Sequence, residues 1–172
     1  IPTASVTWLT FAGGGSSLQD GLLASWDFDE TTGSTLADNV GSNDATVNGA
    51  VINQAGQFGR SVLFNDWTDY LEVANDSSLH PTTALTVSLW FKLNSIPNTT
   101  EGKNYFLIRH YYTDDQPWSY EIFISRNNGY ISWYVKNTLD ADFQAETNTG
   151  LLSINTWYNL ICTIQTGETG KI

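Results

Sequence analysis

Leu85-Thr86-Val87-Ser88-Leu89-Trp90-Phe91-Lys92-Leu93 carries an apolar residue at every odd position. Successive side chains of a β-strand point to opposite faces, so this stretch has one continuous apolar face and reads as a half-buried strand. Similar short segments lie on either side: Leu22–Phe28, Ser61–Phe64, Tyr70–Val73, Tyr105–Ile108, Glu121–Ser125, Tyr130–Lys136 and Trp157–Ile164. Turn residues separate them every dozen residues or so, which is the pattern of a β-sandwich. Between two of them stands Asn127-Asn128-Gly129. Asn-Gly accepts positive φ at both positions and predicts a tight hairpin. No segment keeps a 3.6-residue apolar period over three turns, so helix is expected to be scarce.

The composition narrows the function. The chain has 172 residues, seven Lys+Arg against eighteen Asp+Glu, and a formal net charge of −11. Nucleic-acid binding through a basic face and docking on anionic lipid both need clustered cations, and both are excluded as expectations. No apolar run approaches the roughly 20 residues of a membrane helix, so no membrane insertion is expected. A single cysteine, Cys162, forms no intrachain disulfide and reads as a small buried hydrophobe. Aromatics make up 13% with seven Trp, alongside abundant Asn, Thr, Ser and Gly. That mixture points to an extracellular, turn-rich all-β protein of a cell surface or virion surface. The expected organisation is an N-terminal strand with a Gly/Ser linker over residues 1–19, centred on Ser5–Phe11 and Gly13–Ser17, then one domain over 20–172.

A series of motifs runs through that domain. Gly21-Leu22-Leu23-Ala24-Ser25-Trp26-Asp27-Phe28-Asp29-Glu30 is followed by Asn43-Asp44-Ala45-Thr46, then by Gly56-Gln57-Phe58-Gly59-Arg60-Ser61-Val62-Leu63-Phe64. Asn65-Asp66 and Asp69-Tyr70-Leu71-Glu72-Val73 come next, then the strand at 85–93, then Thr156-Trp157-Tyr158-Asn159-Leu160. In this order they resemble the laminin-G-like, concanavalin A-like jelly-roll family. The resemblance implies an antiparallel two-sheet jelly-roll sandwich, with Trp26, Trp90 and Trp157 at positions that pack in the family core. Family domains run on through further strands after the one resembling Trp157–Ile164. The expectation is therefore a domain lacking its C-terminal strands within this chain, part of a larger bacterial surface or virion protein. The N-terminal strand is then either available for strand addition to other chains or the last strand of an upstream domain.

Three kinds of site follow. Ten acidic residues and one base, Arg60, lie between Asp20 and Asp76. The resemblance implies calcium on such loops, with Asp29, Asp38, Asn43, Asp44 and Asp66 as ligands; the same residues equally serve as turn formers. A glycan or other cell-surface ligand needs flat rings beside polar groups. Trp67 and the loop bearing Tyr111, Tyr112, Asp114, Asp115 and Trp118 supply them, or else cover the sandwich rim. Catalysis is not expected. Glycoside hydrolases of this fold carry a Glu-x-Asp-x-x-Glu strand, which is absent, and His80 and His110 lack metal-site spacing. The expected function is a non-catalytic recognition or adhesion module that binds carbohydrate through its loops. The alternatives are a structural, decoration or assembly domain without a sugar ligand, and a glycoside hydrolase.

Overall fold

A computed structural model of the chain describes residues 2–5, 21–80, 83–100, 102–110, 118–137 and 142–165. The strands are β1 (Pro2–Ser5), β2 (Thr35–Leu36), β3 (Ala45–Asn48), β4 (Val51–Ala55), β5 (Arg60–Leu63), β6 (Tyr70–Val73), β7 (Ala84–Leu93), β8 (Tyr105–His110), β9 (Trp118–Ile124), β10 (Ile131–Asn137), β11 (Asp142–Glu146) and β12 (Trp157–Gln165). Helix among the described residues is one 3-10 turn, Ser77–Leu79. The fold is an antiparallel all-β sandwich of jelly-roll type.

β7 alternates as its sequence requires: Leu85, Val87, Leu89, Phe91 and Leu93 are buried, and every residue between them is half-exposed. It pairs with β12 over nine residues, from Trp157 opposite Lys92 to Gln165 opposite Ala84. These two belong to a five-stranded sheet, β12-β7-β1-β5-β4; a four-stranded ladder β11-β10-β9-β8 and a three-stranded ladder β2-β3-β6 complete the hydrogen bonding. One apolar cluster draws on all three, joining Val87, Leu89 and Cys162 to Ile122, Trp133 and Leu36. The hairpin expected at Asn127–Gly129 joins β9 to β10. Asn128 and Gly129 have φ of 71° and 68°, and Ser125 N donates to Tyr130 O at 2.8 Å.

Several expectations change. Leu22–Phe28 buries Ala24, Trp26 and Phe28 in alternation but forms no ladder among the described residues. Phe28 has a φ of 60°, a left-handed value that a strand does not accommodate. A strand lies at Pro2–Ser5 and pairs inside the sandwich between β5 and β7; of the strand expected at Ser5–Phe11, residues 6–11 lie outside the described residues. The linker at Gly13–Ser17 lies outside the described residues. Trp90 and Trp157 are only half-buried and face outward. Trp90 occupies an even position of β7, and Trp157 pairs with Lys92, also even, so period-two geometry places both opposite the core. Among the tryptophans whose side chains are described, Trp26 and Trp133 fill it, at 2% and 1% exposure.

Candidate functional site

A turn displays Trp67. Asp69 folds back so that its Oδ2 accepts the backbone N–H groups of Asn65, at 2.6 Å, and Asp66, at 2.9 Å. Asp69 N donates to Asp66 O at 3.2 Å, and Asp66 Oδ1 accepts both N–H and O–H of Thr68 at 3.1 Å. With its own donors satisfied locally, the turn leaves the indole of Trp67 48% exposed. Gly49 permits this arrangement: its φ is 75°, and a methyl group there would collide with Asp69 Oδ1. Trp67 leans on Tyr105, ring centroids 5.2 Å apart, and Lys103 Nζ sits 4.8 Å above the indole.

The facing wall comes from β8 and β9. In β8 the buried residues Tyr105 and Ile108 are three apart, a spacing that strict alternation forbids. A bulge between Phe106 and Ile108 absorbs the extra residue. It leaves Phe106 and Arg109 both directed outward, opposite Phe123 and Glu121. Phe106 and Phe123 pack with centroids 5.6 Å apart. Arg109 Nε donates to Glu121 Oε1 at 2.7 Å, and the guanidinium lies 4.8 Å over Phe106.

Between the Trp67 turn and this wall opens a cleft of about 540 Å³, reaching to Tyr130 and Arg126. Its polar groups are pinned: Asn104 Oδ1 accepts Arg126 N at 3.0 Å, and Arg126 Nη1 donates to Gly102 O at 2.6 Å. Flat rings lie beside amide and cationic groups in one open space. Lys103, Arg109 and Arg126 are three of the chain's seven Lys and Arg, so this face stands out against a net charge of −11. Beside Lys103, the Asp66 carboxyl lies below its ordinary range, chiefly through its bonds from Thr68.

Of the sequence-based ligand residues, Trp67 lies in the cleft. Tyr111, Tyr112, Asp114 and Asp115 lie outside the described residues, and Trp118 is described only as backbone in β9. Lys103, Asn104, Phe106, Phe123, Arg126 and Tyr130 join it there without belonging to any motif of the sequence. Phe123 had a usable signal, because alternation buries Ile122 and Ile124 and must turn the ring between them outward.

The five residues expected to hold calcium fall in three places. Asp29 accepts Arg60 N at 2.7 Å, and Asp66 caps the Trp67 turn. Asp38, Asn43 and Asp44 form the third group. Asp38 Oδ1 accepts from Ser25 N, at 2.9 Å, and Val40 N, at 3.1 Å; its Oδ2 accepts from Asn43 N at 3.1 Å and Asn43 Nδ2 at 3.3 Å. Asp44 Oδ1 accepts Asp38 N at 2.9 Å. Burial pushes the Asp38 carboxyl up, but backbone donors at Ser25, Val40, Gly41 and Asn43 bring it below its usual value. These oxygens organise loops, and among the described residues no three His, Cys, Asp or Glu come close enough to hold a metal ion. The donor set does not fit a shared calcium ion.

Residues 65–172 match the Laminin_G_3 family model, described as the concanavalin A-like lectin/glucanases superfamily. The chain belongs to this superfamily. No curated protein and no solved structure matches it. The match begins at the Trp67 turn and contains every residue named in the cleft. The motifs at 21–64 fall outside it, yet Ala24, Trp26, Phe28 and Val62 enter the same core, so the lectin-like sandwich is built from both portions.

Proposed function

We propose that this domain is a non-catalytic recognition module that binds a carbohydrate in the Trp67 cleft. The observation that carries the reading is Trp67 itself, a half-exposed indole that packs on Tyr105 and shares the cleft with Phe106 and polar groups. A sugar offers an apolar ring face for stacking and hydroxyls for Asn104, Lys103 and Arg126. Such a site acts by stacking and hydrogen bonding, with no bond made or broken. Glu121 is engaged by Arg109, and no hydrolysis is expected of it. The module would serve in adhesion on a cell or virion surface, within a larger assembly. Glycan-array screening of the chain and of Trp67→Ala tests the proposal: a signal that vanishes in the variant supports it. An array silent for both proteins defeats it.

A second reading has its own support. On the outer face of the five-stranded sheet, Phe58 is 71% exposed and Ile161 50%, and Phe58 packs edge-on to Trp90 at 5.5 Å. Exposed apolar side chains of this kind suit protein contacts, as in a structural or decoration domain. Light scattering discriminates the two: self-association broken by Phe58→Ser, with no glycan signal, favours the assembly role.

A further inference from the structure

The chain contains two histidines, thirty residues apart, and the fold brings them together. His80 ends the 3-10 turn, its N–H donating to Ser77 O at 3.1 Å. His110 ends β8 and lies opposite Tyr120 of β9. Tyr120 fixes both: its ring stacks on His110 with centroids 4.9 Å apart, and its hydroxyl donates to Leu79 O at 3.2 Å. The two Nε2 atoms end 2.9 Å apart, and the same Nε2 of His80 lies 2.8 Å from Asn75 Oδ1.

His80 Nε2 thus contacts two polar side-chain atoms at once, and hydrogen bonding uses this arrangement poorly. A ring nitrogen offers either one proton or one lone pair. His80 Nε2 therefore makes one well-directed bond, to His110 or to Asn75, and leaves the other contact weak. A cation removes the conflict, because it accepts both imidazole lone pairs and the amide oxygen together. Imidazole nitrogen suits zinc, copper and nickel, whereas calcium selects oxygen. Tetrahedral zinc with metal–nitrogen bonds of about 2.0 Å sets its ligands about 3.3 Å apart. The pair needs to open by only a few tenths of an ångström.

We infer that His80, His110 and Asn75 form a binding site for a divalent transition-metal ion, zinc above all, with the remaining position left to water. The site lies at the His110 end of β8, away from the Phe106 end that lines the cleft. It does not depend on carbohydrate binding, and either proposal can fail alone.

The untagged full chain, stripped with chelator, is titrated with zinc chloride by calorimetry at neutral pH, and imidazole 15N shifts are followed by NMR. The expected result is one saturable equivalent, with both Nε2 resonances moving together and excess calcium failing to displace the ion. His80→Gln and His110→Gln should each weaken binding roughly tenfold or more. Asn75→Asp, an exposed change that adds a charged ligand and leaves the core alone, should tighten it. Absence of a saturable equivalent overturns the site. So does zinc binding that survives both histidine substitutions, or that calcium displaces.

Discussion

Asp38 shows how a single carboxylate can hold a loop. Its two oxygens gather donors from Ser25, Val40 and Asn43, joining the segment that carries Trp26 to the turn that follows β2. Asp38→Asn puts an amide N–H₂ against those donors and should cost about 2 kcal/mol in urea unfolding at neutral pH. Calcium or chelator should leave that cost unchanged. The sign with pH follows from the lowered carboxyl. Its stabilisation is complete above the unfolded value of 3.8 and disappears as pH falls through 3.8 toward the folded value. The gap between wild type and variant should therefore close in acid. Cys162 is fully buried, and burial pushes its thiol up to about 12. A thiol reagent should leave it untouched in the folded protein and label it once the chain unfolds.

At the scale of elements, Gly49 and the Trp67 turn form one unit across the β3–β6 ladder, where Asn48 lies opposite Tyr70. Gly49→Ala should displace Asp69, cost about 1–3 kcal/mol, and weaken any ligand that stacks on Trp67. Circular-dichroism melts and binding titrations read the two effects separately. In the hairpin, a Cβ at Gly129 would lie 2.6 Å from Ile96 Cγ2. Gly129→Ala should therefore destabilise the hairpin more than Asn128→Gly, in the same melts. The elements legible in the sequence are those with an apolar side, such as β7, β12 and the Asn128–Gly129 hairpin. β4 was not legible because none of its five residues is buried, which leaves no periodic face to read. Trp90 was misplaced by family resemblance although the alternation of β7 already turns it outward. Phe106 is not legible because the bulge in β8 breaks the period that would mark it.

For the whole molecule, the sandwich brings distant residues together. Trp67 precedes β6, Phe106 lies on β8, and Arg126 sits in the β9–β10 turn, yet all three line one cleft. Sequence spacing carries no trace of that meeting, nor of the approach of His80 to His110. Charge is distributed in the same way. Acidic loops dominate the chain up to Asp76, while Lys103 and Arg126 line the cleft and Arg109 lies over Phe106 beside it. A ligand held there by stacking should resist salt, because ring contact is not screened; one held by the cations alone should be released.

The most direct test of carbohydrate recognition is NMR mapping of glycan binding on the isotope-labelled chain, beside Trp67→Ala. The account predicts saturable shifts concentrated at Trp67, Lys103, Asn104 and Arg126, with affinity falling roughly tenfold or more in the variant. A glycan that binds with its shifts elsewhere, or binds Trp67→Ala as tightly as wild type, would contradict it.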